Sequence, residues 1–394
     1  MKEHRFKLNT GLVVKLLLIW FIFQSVLSGS LFEYSDYKGI LALVGSVTLL
    51  LRYFMMAFGV YWISRKRLKR KYFIPLVVYV LIVVITKINA NSWLFFDVFF
   101  IAFIFRDAIS REQTIKVFFM TILISCVVVI LANYAGLFPN YVVRRLDGRE
   151  RMHLGFAHPN TLGYYIMICS FLIVLICKEK INFFHIIALI IVAYFVYVYP
   201  NSFSSAISIL LMSIYLLVKK LYFLLFKKNV VKSRLIRIAS ITIVPIIVFI
   251  IFWIVSNSFN FTYMYDTFGT FYSRFRFGSQ AIQQYGIHLF GSKDIAFVGT
   301  AARFFGGIGS EYFTIDCLYI FVLVRYGIIP SFFIAAVYVM CIRASIKKQD
   351  SDILAILVIF SVYSINESMF LAVPTSFVFI ISSQYIFHMV RKKE

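Results

Sequence analysis

The chain has 394 residues, of which 61% are hydrophobic and only 14% charged; soluble domains carry roughly a quarter charged residues. A soluble fold of this length could not hide so much apolar surface, so the composition excludes a soluble globular protein and predicts an all-α, polytopic membrane bundle forming one integral domain over residues 1–394. The formal net charge of +23 falls in patches between apolar runs, which reads as a topology signal and not as a nucleic-acid surface.

A spanning helix needs roughly 20 apolar residues. In chain order the predicted helices are Gly11–Leu27, Gly39–Ile63, Tyr72–Ile88, Ser92–Phe105, Val117–Phe138, Thr161–Cys177, Phe183–Tyr199, Phe203–Val218, Ile238–Ser256, Phe313–Ile342, Ile353–Leu371 and Thr375–Val390. That makes about twelve transmembrane helices. The fourth is short, and the tenth is long enough to tilt or to project from the bilayer. The apolar run after the basic segment Met1–Lys7 has no small-residue cleavage site and reads as the first membrane helix. Cys126, Cys169, Cys177, Cys317 and Cys341 all lie in or beside apolar runs, in no metal-like or disulfide-like spacing, and read as packing residues.

Lys and Arg concentrate in cytoplasmic loops. With the N-terminus inside, the inward segments include Arg65–Lys71 (RKRLKRK) and the basic stretch Lys219–Arg237, and every basic cluster between helices alternates as the rule requires. Removing one helix would turn one of these clusters outward. Both termini are therefore expected in the cytoplasm, leaving two large outer loops at about 139–160 and 257–312.

The first outer loop breaks the charge rule. It reads RRLDGRERMHLGFAHPN, with Arg144, Arg145, Arg149 and Arg151 beside Asp147 and Glu150. A helix opening at Pro159 would point free N–H groups and the positive end of its dipole at the same place, a ready anion site. Arginine also binds phosphate bidentately. These features suggest a site for a phosphate-bearing ligand, although the arginines could simply touch headgroups and pair with the acids. His158 and Asn160 flank the helix start, where either side chain could cap it or hold a sugar hydroxyl or phosphate.

In the second loop, Ser273-Arg274 opens a predicted amphipathic helix to about Tyr285, with Phe271, Phe275 and Ile282 on the membrane surface. Gly299, Gly306, Gly307 and Gly309 form no phosphate-binding loop, because the GK[ST] element is missing, and they read as an ordinary flexible connection. At the start of the tenth helix, Asp316 and Tyr319 stand at i and i+3 and would share a face. A carboxylate there could act as general base for a hydroxyl, or be merely solvated. Glu367, with Asn366 and Ser364, could reach the same cavity from the outer end of helix eleven. Arg52 and Arg325 lie within membrane segments, where a structural ion pair is the ordinary reading and Asp97 a partner for either. Asp350-Ser351-Asp352 spells a metal-binding triplet of nucleotide-sugar transferases, but it sits in a short inward loop with no α/β domain around it. No metal or cofactor is expected.

The block Leu154-Gly155-Phe156-Ala157-His158-Pro159-Asn160-Thr161-Leu162-Gly163, preceded by Arg151, resembles the "GF-small-HPN-x-x-G" signature of the Wzy-type bacterial polysaccharide polymerases of capsule, exopolysaccharide and O-antigen systems. Ser273-Arg274 with Tyr285-Gly286 and Leu289-Phe290-Gly291, and Ile315-Asp316-Cys317-Leu318-Tyr319 with Tyr326-Gly327-Ile328, are similar to two further blocks of that family. The chain departs from it at Tyr272 and at Cys317, where an asparagine is usual.

The resemblance implies a multi-pass protein of the bacterial cytoplasmic membrane. Such a protein would act as a metal-independent glycosyltransferase on lipid-linked repeat units at the outer face. The growing glycan would pass from undecaprenyl pyrophosphate to the next lipid-linked unit. Asp316 would be the catalytic base and His158 the second choice. Arg151, Arg274, Arg144, Arg145, Arg276, Asn160, Tyr319 and Glu367 would bind substrate. The partners implied are undecaprenyl-pyrophosphate-linked oligosaccharide, membrane lipid, and the flippase and chain-length regulator of the same pathway. A flippase of lipid-linked oligosaccharide and an O-antigen ligase are the rival readings.

Overall fold

The computed structural model describes residues 9–66, 73–139, 141–144, 148, 150–256, 270–293, 295–305 and 313–391. The expected helical class holds: among the described residues there are fifteen α-helices and one small hairpin. The helices are α1 Thr10–Ser28, α2 Lys38–Lys66, α3 Phe73–Ala90, α4 Leu94–Ile104, α5 Arg111–Tyr134, α6 Pro159–Cys177, α7 Phe183–Val198 and α8 Phe203–Phe226. They continue as α9 Arg234–Ser256, α10 Thr270–Tyr285, α11 Thr300–Phe305, α12 Leu318–Tyr326, α13 Ile328–Lys348, α14 Ser351–Tyr363 and α15 Phe377–Arg391. The hairpin pairs β1 Val143–Arg144 with β2 Glu150–Arg151, antiparallel.

Eight helices (α1, α2, α3, α5, α6, α8, α9 and α13) are long and apolar enough to cross a membrane. Four of the predicted spans are shorter: α4, α7, α14 and α15. Packing explains why two of these can be short. All but Leu94, Asp97 and Phe103 of the 11 residues of α4 are buried, and all but Val358 and Val362 of the 13 of α14. Thirteen residues rise only about 20 Å. A helix sheathed by protein need not match the lipid, and the irregular backbone that continues it can be satisfied internally. Helices α1, α5, α6, α8 and α14 pack in sequence, and α13, α15 and α4 close the other side.

The bundle has two distinct ends. At the basic end, Asp350 caps α14, accepting from the Ile353 N–H at 3.2 Å, and pairs with Arg111 at 3.0 Å. Asp352 is buried and pairs with Lys219 and Tyr215. Both carboxylates of the Asp350-Ser351-Asp352 triplet are thus held by cations. Gln384 of α15 donates to the Ile109 carbonyl at 2.9 Å, and Gly11 of α1 lies against the nearby Ala108 carbonyl. The first and last helices therefore have their outermost turns at this same end. At the opposite end, the loop end, three backbone contacts bind α1 to the segment before α6. Leu31 N–H donates to the Gly155 carbonyl at 2.8 Å, Ala157 N–H to the Gly29 carbonyl at 2.9 Å, and Ser30 bridges Phe156.

The tenth predicted helix is corrected. It is not one span from Phe313 to Ile342 but two helices, α12 and α13, broken at Gly327, whose φ is +93°. A Cβ there would lie 2.2 Å from the Gly291 nitrogen and 2.7 Å from the His288 carbonyl oxygen. The docked segment His288–Gly291 uses the space: the His288 and Leu289 carbonyls accept from the Ile328 and Ile329 N–H groups, both at 3.0 Å, which would otherwise be orphaned at a helix start. With 21 residues, α13 can cross alone. Helix α12 lies across the loop end, tied at its start by the Leu318 N–H bond to the Ser364 carbonyl at 3.0 Å. At its other end Arg325 donates to the Ala90 carbonyl, which ends α3, at 2.8 Å. Arg325 thus satisfies the Ala90 carbonyl and, at 3.2 Å, the Ile295 carbonyl of the preceding loop. Arg52 is the residue that takes Asp97, bidentately, at 2.8 and 2.6 Å, with its guanidinium also over the Trp93 and Phe21 rings.

Candidate functional site

Five segments converge at the loop end. The hairpin brings Arg151, and α6 brings Asn160 in its first turn. Helix α10 brings Arg274, and the breaks before α12 and after α14 bring Asp316 and Glu367. Arg151 donates through Nε to the Pro200 carbonyl at 3.1 Å. Through Nη2 it donates to the Asn201 carbonyl at 3.1 Å and to Asn160 Oδ1 at 2.5 Å. Asn160 turns its amide the other way, Nδ2 donating to Glu367 Oε1 at 2.7 Å. The same oxygen accepts from Arg274 Nη2 at 3.4 Å, and Arg274 Nε stands 3.6 Å from Asp316 Oδ2. Thr314 Oγ1 donates to Asp316 Oδ1 at 3.2 Å. The result is a continuous chain Arg151–Asn160–Glu367–Arg274–Asp316.

Local structure explains each position. Pro159 opens α6, and His158 caps it, its Nδ1 accepting from the Asn160 N–H at 3.0 Å. Capping was one of the two roles open to His158. Helix α10 is amphipathic as expected, but its apolar face does not lie on a membrane surface. Phe275 and Ala281 are buried in a second core with Ile247, Ile251 and Ile320, and Ile282 packs against it. Gly278 permits this contact, since a Cβ there would meet the Ile320 Cδ1 at 2.6 Å. The packing turns Arg274 toward the acids. The Phe271 and Ser273 side chains lie outside the described residues. Asp316 is not helical. Phe313 pairs with Val298 in a β-bridge and α12 begins only at Leu318, so the expected shared helical face of Asp316 and Tyr319 is corrected. Tyr319 donates to the Ser361 carbonyl at 3.0 Å and lines an apolar cavity of about 250 Å³ with Val244, Leu323, Phe332 and Phe370.

The remaining candidates sit apart. Arg144 pairs with Glu150 across the hairpin at 2.8 Å, with both side chains mostly exposed; such pairs contribute little. Arg276 is exposed, and its position two residues after Arg274 puts it on the other side of α10. Arg145, Arg149 and Asp147 lie outside the described residues, as do Gly306, Gly307 and Gly309. Sequence reasoning did not anticipate the Pro200 and Asn201 carbonyls that hold Arg151. The Pro200-Asn201-Ser202 interruption between two apolar helices was the available signal, and Asn201 takes a positive φ of 51°.

Electrostatically, the site sets two cations against two acids in partial burial. Arg274 and Asp316 keep 24% and 29% of their side-chain surface, but Glu367 only 9%. Burial pushes the Glu367 carboxyl up to about 7, against the opposing pull of Arg274; Asp316 raises it further and Arg151 lowers it. Burial also raises Asp316, opposed by Arg274 and the Thr314 hydroxyl. His158 moves the other way, down to about 3, through burial and then the positive charges of Arg151 and Arg274, so at neutral pH it is an uncharged, weak base. The contacts of Arg274 at 3.4 and 3.6 Å exceed the 2.7–2.9 Å of a tight charge-assisted bond, so this arginine can exchange its acids for a better anion. Among the described residues no group of three or more metal-ligating side chains gathers. No family model, curated protein or solved structure matches the chain.

Proposed function

We propose that this protein is a glycan polymerase of the Wzy type, acting on lipid-linked oligosaccharide repeat units at the outer face of the bacterial cytoplasmic membrane. On this reading the helices make twelve crossings, the basic end faces the cytoplasm, and the loop end faces outward. The reaction moves a growing glycan from undecaprenyl pyrophosphate to a hydroxyl of the next lipid-linked unit. The observation that carries the reading is the Arg151–Asn160–Glu367–Arg274–Asp316 chain. It sets the exchangeable Arg274 and the carbonyl-held Arg151, cations suited to a diphosphate leaving group, beside carboxylates suited to a hydroxyl proton. The apolar cavity lined by Tyr319 and Leu318, which follow Asp316 in sequence, supports it, because a lipid-linked substrate needs apolar space next to its headgroup site. The charges stand at one end of the bundle, whereas a flippase would be expected to carry them near the midplane. An O-antigen ligase would share the chemistry and differ in acceptor.

Reconstitution with lipid-linked repeat units tests the reading. A ladder of products without added metal is expected, reduced at least a hundredfold by Arg274→Ala or Arg151→Ala in correctly inserted protein. Movement of fluorescent lipid-linked sugar across the bilayer without any ladder would replace the polymerase with a transporter.

A further inference from the structure

We propose that Glu367 is the group that takes the proton from the attacking sugar hydroxyl, and that Asp316 is a positioning residue for Arg274. The inference rests on the polymerase reading and deepens it.

The first argument is an account of carboxylate oxygens. Asp316 Oδ1 accepts from Thr314, and its Oδ2 stands 3.6 Å from Arg274 without a hydrogen bond. Glu367 takes Asn160 and Arg274 on Oε1. The Ser204 hydroxyl is a third hydrogen-bond partner of the same carboxylate. The small exposed fraction of the side chain leaves it open to a ligand. A general base must sit within hydrogen-bond reach of the proton it takes, and Glu367 is the carboxylate on which α6, α8 and α10 converge, through Asn160, Ser204 and Arg274.

The second argument is position. Glu367 stands between the two arginines, bonded to Arg274 directly and to Arg151 through Asn160. A diphosphate held by both cations would bring its sugar carbon close to this carboxylate. The backbone there is fixed, since the Glu367 N–H donates to the Tyr363 carbonyl at 3.1 Å. His158 is a poor rival because its Nδ1 is committed to the helix cap and burial beside Arg151 and Arg274 makes the ring a weak base.

The step balances as follows. The acceptor hydroxyl oxygen bonds to the anomeric carbon while that carbon's bond to the diphosphate oxygen breaks. The hydroxyl proton passes to Glu367, and the electron pair leaves with the diphosphate, where Arg274 and Arg151 meet the added charge. As Arg274 turns from Glu367 to the diphosphate, the cation that kept the carboxylate ionised withdraws, so Glu367 becomes more basic when a proton must be taken. The groups facing it are Arg274 on α10, Asp316 before α12, Arg151 through Asn160, His158 at the α6 cap, Ser204 on α8 and Tyr363 on α14.

The test is steady-state polymerisation by the full-length protein in proteoliposomes, using lipid-linked repeat units, as a function of pH. Wild type should show kcat/KM rising with pH through about 7 and level above it, because the base must be deprotonated. Glu367→Gln keeps the shape and the Asn160 contact, and should lose kcat by about 10²–10⁴ with little change in KM and no remaining pH step. Glu367→Asp should keep part of the activity and the step. Asp316→Asn should act mainly on KM and, by removing a negative charge beside Glu367, move the midpoint down without abolishing the step. A Glu367→Gln enzyme that keeps more than a tenth of wild-type kcat, or a pH step abolished by Asp316→Asn but not by Glu367→Gln, overturns the assignment while the polymerase reading stands. A wild-type protein that forms no ladder overturns both.

Discussion

Asn160 is the link whose replacement reports most directly on the site. Its amide joins Arg151 at 2.5 Å to Glu367 at 2.7 Å, and bonds to charged partners contribute about 1.5–3 kcal/mol each. Asn160→Ala removes both but orphans neither charge, because Arg151 keeps the Pro200 and Asn201 carbonyls and Glu367 keeps Arg274. The expected cost is therefore about 2–3 kcal/mol, well below the sum of the two bonds. Asn160→Asp preserves the Arg151 contact but sets two carboxylates against each other. Near 2.7 Å, and with an effective dielectric of about 20, their repulsion is on the order of 6 kcal/mol, so the folded pair retains a proton. A carboxyl whose folded pKa is raised above its unfolded value stabilises the fold at low pH and loses that contribution as pH rises through the folded pKa. Asn160→Asp should thus melt close to wild type near pH 6 and fall progressively below it toward about pH 8.5. Intrinsic-fluorescence melting of detergent-purified protein reads this. A constant difference from wild type across that range would refute the geometry assigned to the amide.

Other perturbations test the scaffold. Removing one member of the Arg52–Asp97 pair, as Asp97→Asn or Arg52→Leu, should cost about 3–5 kcal/mol, whereas the apolar double variant should recover most of it; double-mutant melting measures both. Gly327→Ala should abolish accumulation of folded protein, since its Cβ has no room and its φ is positive. Gly45→Ala, with nothing near its Cβ, should be neutral or slightly stabilising. Cysteine introduced at Arg144 should react with an impermeant maleimide from outside the cell and cysteine at Lys228 from inside only; the reverse pattern would invert the proposed orientation.

Helical class, most helix positions and the Arg151–Asn160 end of the site were legible in the sequence, because apolar length and local capping act over a few residues. The break at Gly327 was not. An apolar run through Tyr326-Gly327-Ile328 reads as continuous helix, and only the docked segment His288–Gly291, far away in the chain, forces it apart. Glu367 was placed near the right rim but not credited with a central role. Its importance comes from burial and from partners 93 and 207 residues away, which no local pattern encodes. Of the arginines in the first loop, Arg144 is exposed and Arg151 is half-buried. What separates them is whether the neighbouring α7–α8 turn offers carbonyls.

Helix α12 also has a mechanical consequence. It bridges the rim like a crossbeam, anchored to the end of α3 through Arg325 and to the end of α14 through Leu318, and it packs against α10, which carries Arg274. The gap between Arg274 and Asp316 is therefore set by how far apart those two walls stand. Bilayer thickness changes helix tilt at a modest energetic cost, and tilt spreads or gathers helix ends. On the proposed function, the Arg274–Asp316 spacing is thereby coupled to bilayer thickness, so polymerisation should follow the acyl-chain length of the surrounding membrane.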